Sequence, residues 1–558
     1  RAAFLRPENL NPGKQAAPRE LFYWKKGPDP GRMGASITIM SILSDRLSEE
    51  ILQARQRVYT VGEPTPLPRL NLPGIKAPVY AKREDLGPIR AYKWRGAFNC
   101  MAALSQEARD KGIVAASAGN HAQGVALAAS VLNCHATIFM PRSTPEVKQT
   151  EVRRHGGRHV KIMLHGDCYD ETAAAAHEYA ETHGSTFVHP YDDLVTMAGQ
   201  GTLADEVVMS GEGPFDRAYV AIGGGGLAAS VACWLKKFWP RIKVIGVEGI
   251  DQASMKTSIE QGRRVNLDYV DVFCDGTAVH IPGELTYPLC RELVDEFVTV
   301  TNNEVCQAIR AMWESSRVVP EPSGAMSLAG FLKQWNRGEV KPEEKSFVVI
   351  SGANMDFTHL TQIARQAGIG NHETRYLRIS MDSKRGQVLK YLRHIPQDTT
   401  LVDVQYGKTE GSTQYPVFGI AASDEDLDTI RTTLKKKGIE FEDISEDDDV
   451  RFRMIHYQPE LCQHPLFVHI EFPERAGAFL DFMERIADLA SLCYFNYTYT
   501  GERVGRALVG MEFDTAEDRE TIRKRMSAFS KNIIRSIREI SPEAFQRIMG
   551  SRQLTGNH

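Results

Sequence analysis

Nowhere in the 558 residues is there a dense block of lysine and arginine, and the formal net charge is −4 with a pI near 6.5. The chain therefore lacks the electrostatic footprint of a nucleic-acid partner or another polyanion. No apolar run approaches the ~18–20 residues a helix needs to cross a bilayer, so no membrane partner is expected. The nine cysteines include no Cys-x-x-Cys and no Cys/His pair at zinc spacing. An odd, unpatterned set reads as reduced thiols in a reducing compartment, with no metal centre.

What is present is the composition of a globular protein, 42% hydrophobic and 25% charged, in a chain long enough for two to four domains. Residues Arg1–Arg32 differ from the rest: seven are basic, three acidic and five proline, with no apolar periodicity. They read as a disordered N-terminal extension, taken as 1–40. A basic, acid-poor leader is either a plain extension of a cytoplasmic protein or part of a targeting peptide for an organelle matrix or stroma.

From Leu47 to about Gly370, short β-branched runs alternate with Ala-rich amphipathic segments. The runs include Gly112–Ala116, Ala136–Met140, Ala218–Ile222, Lys243–Val247 and Phe347–Ile350; helical patterns such as Gly124–Val131 and Leu227–Phe238 lie between. This alternation predicts an α/β fold with a parallel sheet over 41–370, and in such sheets ligands sit beyond the carboxyl ends of the strands. After Gly370 the pattern changes and repeats with a constant offset of 91 residues, pairing Ile379 with Ile470, Gly386 with Gly477, Tyr406 with Tyr497 and Gly419 with Gly510. Each copy, 371–453 and 465–545, reads as strand, helix, strand, strand, helix, strand: a ferredoxin-like α+β unit. Met454–Pro465 links them.

Three loops rich in glycine and serine follow predicted strands: Ala116-Ser-Ala-Gly-Asn-His-Ala-Gln-Gly124, Gly223-Gly-Gly-Gly-Leu227 and Ser351-Gly-Ala-Asn354. Upstream stand Lys82-Arg-Glu-Asp85 and Ala91-Tyr-Lys-Trp-Arg-Gly-Ala97. Glycines between a strand and a helix let backbone N–H groups converge on an anion such as a phosphate. Gly223-x-Gly225-x-x-Ala228 also matches the dinucleotide fingerprint, with Glu248 at the end of the next strand as its acidic residue. A tight turn with close packing is the third reading, and this motif alone does not choose among them.

Taken together, the loops do more. A lysine in a K-x-R-G-A frame, S-A-G-N-H-A-Q-G, G-G-G-G-L, Glu321-Pro-Ser-Gly-Ala325 and S-G-A-N occur in that order, with Thr65-Pro-Leu67, His165-Gly166 and Ala198-Gly-Gln-Gly-Thr202 as further matches. In this the chain resembles the serine/threonine dehydratase family of pyridoxal 5′-phosphate (PLP) enzymes, and within it the biosynthetic threonine ammonia-lyases. The resemblance covers Leu47–Phe357 strongly and the C-terminal repeat less tightly. It implies a fold type II catalytic domain and two ACT-like regulatory domains. It further implies that Lys93 binds the cofactor aldehyde and acts as the general base, that Gly223, Gly224, Gly225, Gly226 and Leu227 hold the phosphate, and that Tyr92, beside the lysine, also contacts the cofactor. Asn120 would meet the ring hydroxyl and Ser351 the ring nitrogen. Ser117, Gly119 and Asn120 would receive the substrate carboxylate, while His121 reads as structural. The reaction implied is β-elimination of threonine, and of serine, to a 2-oxo acid and ammonia. Isoleucine and valine are the implied effectors, with Glu474, Gly477 and Asn496 as the candidate effector loop, and the implied assembly is a homotetramer. A related serine dehydratase or racemase, and a non-catalytic amino-acid sensor, are the alternatives. The sequence departs from the family at Ala91, where serine is usual, at Tyr92, where phenylalanine is, and at Trp94, where an aliphatic residue is common.

Overall fold

The structure is a computed structural model that describes residues 33–357, 359–370, 374–382, 400–405, 413–415, 417–445, 447, 464–473, 478–498 and 504–548. Residues 1–32, Glu474, Gly477 and 454–463 of the linker lie outside the described residues. Inside the stretch expected to lack structure, a helix already begins at Met33 and runs to Val58. Its buried face, Leu47, Ile51, Ala54 and Val58, repeats every three to four residues; the first three pack into the core around Gly226–Phe238 and Val58 into the core under Ile113–Ala116.

Two parallel sheets form the first part. One has the order Val160–Leu164, Ala136–Met140, Ile113–Ala116, Thr186–Phe187; the other Val79–Arg83, Ser346–Ile350, Arg217–Ala221, Lys243–Gly249, Glu296–Val300. Ile113–Ala116, Arg217–Ala221 and Ser346–Ile350 are buried along their whole length. That is why they read as nearly continuous apolar runs rather than alternating ones. Alternation reappears in which core each residue enters. Ala218, Val220, Val244, Phe347 and Val349 face one hydrophobic layer, with Ala229 and Leu235 from the helix Gly226–Phe238. Tyr219, Ala221, Ile245, Val247, Val348 and Ile350 face the other, with Met326 and Phe331 from the helix Pro322–Asn336. Each fully buried Val, Ile or Phe contributes about 1.5–3 kcal/mol relative to exposure, so the sandwiched sheet has a strongly specified register.

The described C-terminal part is built on two antiparallel four-stranded sheets, with a small two-stranded one, Met381–Asp382 and Thr413–Gln414, beside them in sequence. The orders of the larger two are Thr400–Gln405, Val417–Ala421, Thr374–Ile379, Phe441–Asp443 and Ser491–Thr498, Val504–Glu512, Leu466–Pro473, Ser536–Glu539. The 91-residue offset is a structural repeat at the level of register. Tyr376 pairs with Gly419 in one sheet, and Phe467 with Gly510 in the other. A side chain at Gly510 would meet the Phe467 ring at 2.6 Å, which accounts for a glycine there. Even the irregularity is duplicated, with ladder shifts between Leu401 and Asp403 and between Leu492 and Tyr494.

Candidate active site

The three loops picked out from sequence leave the carboxyl ends of Ile113–Ala116, Arg217–Ala221 and Ser346–Ile350 and meet in the crevice between the two parallel sheets. There they line one cavity of about 240 Å³. Tyr92, Lys93, Ser117, Gly119, Asn120, Gly223–Leu227 and Ser351 all line it, so the structure brings together every catalytic, cofactor and substrate residue named from sequence. Asn496 belongs to the strand Ser491–Thr498.

Lys93 opens the helix Lys93–Ala102. An antiparallel bridge between Ala91 and Gly352, and the Tyr92 N–H donating to the Ser351 carbonyl at 3.0 Å, set that helix start beside the third loop. The Lys93 Nζ donates to the Pro190 carbonyl at 2.9 Å and lies 5.4 Å from the Tyr92 ring centre. Burial pulls its amine down to about 8, close enough to neutrality for the free base to be populated.

The glycine run is a cradle because side chains are sterically shut out of it. A Cβ on Gly223 would meet Thr277 Cα at 2.9 Å, one on Gly224 the Tyr191 ring at 2.3 Å, and one on Gly226 the Tyr191 carbonyl at 2.7 Å. Gly225, at φ +94°, sits in the left-handed region and caps the helix Gly226–Phe238. The first-turn N–H groups of that helix have no intrahelical acceptor and carry the positive end of its dipole, an anion site made of backbone.

Facing the cradle is a polar cluster. Asn120 Nδ2 donates to Glu321 Oε1 at 2.8 Å, Asn354 Nδ2 donates to Asn120 Oδ1 at 2.7 Å, and the Asn354 N–H donates to Glu321 Oε2 at 3.1 Å. Burial, then the negative charge of Asp275, pushes the Glu321 carboxyl up to about 8. Ser351 is buried and its hydroxyl donates to the Ser323 carbonyl at 3.3 Å. His121 is held through Nε2 against the Val188 carbonyl at 2.9 Å, and burial followed by the charge of Lys93 drives it down to about 3, so it stays neutral. An amine free to react, a backbone anion cradle closed to any Cβ and a neutral hydroxyl around one cavity fit PLP.

Sequence reading missed Tyr191, Thr277 and the wall Asp275–Ile281, which carry no motif, and Arg535, which comes from the second C-terminal unit. Glu321 and Asn354 stood in motifs, but nothing in the order of residues said that they would meet at Asn120. One reading finds another place. Glu248 accepts from the Met255 and Lys256 N–H groups, each at 2.9 Å, and is buried away from the cavity, so the acidic partner of a dinucleotide site is used up in capping a short helix. Trp94, next to Lys93 in the chain, is fully buried against Gly62 and Gly87.

Comparison with known proteins agrees with this chemistry. Residues 58–352 match the family model of pyridoxal-phosphate dependent enzymes, and residues 462–536 that of the C-terminal regulatory domain of threonine dehydratase. The biosynthetic L-threonine dehydratase IlvA of Burkholderia multivorans is 37% identical over 480 residues, 85% of this chain and 94% of that protein. The mitochondrial threonine dehydratase of Schizosaccharomyces pombe is 35% identical over 469 residues, 82% of this chain and 77% of that protein. Among solved structures, the processed form of threonine deaminase isoform 2 from Solanum lycopersicum is 39% identical, with a TM-score of 0.55, covering 58% of this chain and 94% of its own. The chain belongs to the biosynthetic threonine dehydratases, PLP-dependent lyases of fold type II with a C-terminal regulatory region.

Proposed function

We propose that the chain converts threonine to 2-oxobutanoate and ammonia, with serine as a second substrate giving pyruvate, at the entry to isoleucine synthesis. The observation that carries this is the Lys93 amine standing in one cavity with the glycine cradle and the Ser351 hydroxyl. Bound there, PLP supplies the electron sink for the pair released at the substrate α-carbon. The N–H groups of Gly223–Leu227 hold its phosphate, while Asn120 and Ser351 hold its ring. Ser117, Gly119 and the start of the helix Asn120–Val131 receive the substrate carboxylate at a positive dipole end. Lys93, its affinity for protons lowered by burial, takes the α-proton and returns it to the departing β-hydroxyl. Ser351 brings no negative charge to the ring nitrogen, which favours loss of the hydroxyl over return of the proton.

We assign catalysis to 41–370 and regulation to 371–453 and 465–545, with isoleucine and valine as effectors and Glu474, Gly477 and Asn496 as their contacts. ACT-like sheets pairing between subunits support a homotetramer. The site of action is the cytoplasm, or an organelle matrix or stroma if the basic leader is a targeting segment; among the described residues no helix is long and apolar enough to cross a membrane. The test is steady-state release of 2-oxo acid from threonine and from serine, by wild type and Lys93→Ala. We expect threonine to be the better substrate and the variant to lose about 10²–10⁴-fold or more, together with the visible absorption of lysine-bound PLP. Substantial turnover by Lys93→Ala removes the assignment.

A further inference from the structure

The active-site cavity is not walled by the parallel sheets alone. Arg535, from the second C-terminal unit, lines it together with Val270, Val272 and Asp275–Ile281. Arg535 leads into the strand Ser536–Glu539, and its N–H donates to the Glu471 carbonyl at 2.8 Å. In the same sheet Glu471 stands in register with Arg506 on one side and Ser536 on the other. These three side chains form a row, with Arg506 Nε donating to Glu471 Oε1 at 3.2 Å and Ser536 Oγ donating to Glu471 Oε2 at 2.8 Å.

From that row Arg506 reaches out of its own unit, donating from Nη2 to Asp271 Oδ1 at 2.7 Å, with only 13% and 10% of the two side chains exposed. Asp271 is a fixed point. Its Oδ2 accepts from Asn302 Nδ2 at 2.7 Å and its carbonyl from Gln252 Nε2 at 2.5 Å. Gln252 also donates to the Cys274 carbonyl at 3.1 Å and accepts from Thr277 Oγ1 at 3.1 Å. Thr277 is the residue pressed against Gly223, and its hydroxyl lies 3.2 Å from that of Ser323, whose carbonyl holds Ser351. Four residues, Asp271, Gln252, Thr277 and Ser323, linked through side chains and the backbone carbonyls of Asp271 and Ser323, thus lie between Arg506 and both ends of the cofactor site.

We infer that the Arg506–Asp271 ion pair is the joint through which the second C-terminal unit sets the position of the cavity wall over residues 270–281, making Arg506 a positioning residue for the reaction. An ion pair this enclosed is sensitive to small displacements of either sheet, because separating opposite charges costs more in a poorly hydrated place than in water. Packed, hydrogen-bonded walls switch between arrangements rather than deform smoothly, so a shift of the regulatory sheet reaches Thr277 as a change of state. The inference rests on the regulatory reading above for its purpose, but not for its test.

The test uses the full-length holoenzyme with Arg506→Met, Asp271→Asn, the double variant and Arg506→Lys. Amide hydrogen exchange over residues 268–281 is the main readout, and threonine KM against kcat the second. We expect exchange over 268–281 to rise at least about fivefold in Arg506→Met, with KM moving more than kcat and Arg506→Lys recovering part of both. The double variant should be no worse than the worse single one, the signature of one shared interaction. Unchanged exchange in Arg506→Met with the second sheet still folded, or single effects that add in the double variant, overturns the inference. If Arg506→Met fails to fold, Asp271→Asn puts the same question from the catalytic side, and unchanged exchange there overturns it equally. Exchange needs neither substrate nor effector, so it decides the joint even if the threonine assay defeats the proposed activity.

Discussion

Lys93 and Glu321 face one cavity, and burial moves both toward the neutral form, one downward and one upward to about 8. Lys93 was legible in sequence because a lysine between two aromatics inside a K-x-R-G-A frame is an unusual place for a solvated charge. Glu321 was legible only as part of a motif. Its role depends on Asn120 and Asn354 reaching it from loops roughly 200 and 30 residues away along the chain, which no local pattern encodes. The raised carboxyl has a measurable consequence. Because Glu321 holds its proton more tightly in the folded state than unfolded, its contribution to stability is complete below about pH 4.5 and is lost as pH rises toward about 8. Glu321→Gln keeps the neutral form at every pH. The unfolding free energy of the variant minus that of wild type should therefore climb from pH 4.5 to pH 8, as read by urea titrations at a series of pH values. A flat difference would mean that the carboxyl ionises in the folded protein as readily as in the unfolded chain.

Among the helices, the motif surrounding Lys93 turns out to be divided between chemistry and architecture. Two residues after Lys93, Arg95 turns inward and makes a two-pronged contact with Glu84, Nε to Oε2 at 2.7 Å and Nη2 to Oε1 at 3.0 Å, and reaches Glu206 from Nη1 at 2.6 Å. Lys82 completes the set by pairing with the same Glu206, all of it buried. Gly96 and Gly199 let the helices Lys93–Ala102 and Leu194–Met209 touch: a Cβ on Gly96 would meet the Thr196 carbonyl at 2.6 Å, and one on Gly199 the Arg95 carbonyl at 2.5 Å. Hence Lys82-Arg-Glu-Asp85 and Ala198-Gly-Gln-Gly-Thr202, noted in the sequence without a role, build the platform under the lysine. Sequence order cannot separate such a platform from the site it supports, since both demand the same residues. Arg95→Leu strands the Glu84 carboxylate in the core, leaves Glu206 with Lys82 as its one cation, and should cost about 3–5 kcal/mol in urea unfolding. A loss within the range of an exposed pair, about 0–1 kcal/mol, would show that water reaches them. The C-terminal strands were legible for the opposite reason. A duplicated unit checks itself, and the 91-residue offset carried register and bulge along with it.

Over the whole molecule, the division into a parallel α/β part and a repeated antiparallel part was visible as a change of period near Gly370, but the contact between them was not. Arg506 and Arg535 look like ordinary strand and turn residues until the fold sets them beside residues 270–281. Ending the chain after Gly370 leaves every proposed cofactor contact in place. The truncated protein should still release 2-oxobutanoate, with a raised threonine KM because the 270–281 wall has lost Arg506. Any isoleucine response of the full-length enzyme, of the order of 5–150-fold for coupled sites, should vanish. Threonine saturation curves across isoleucine concentrations check this, and a truncated enzyme that still answers to isoleucine would place the effector site before Gly370. The same arrangement has a meaning in time. The cavity residues from Tyr92 to Asn354 leave the ribosome ahead of Arg535 by about 10–40 s at ordinary elongation rates. During that interval the nascent chain holds its cradle, its lysine and the 270–281 wall but neither Arg506 nor Arg535, so the competence expected of the truncated chain would precede its own regulator in every molecule.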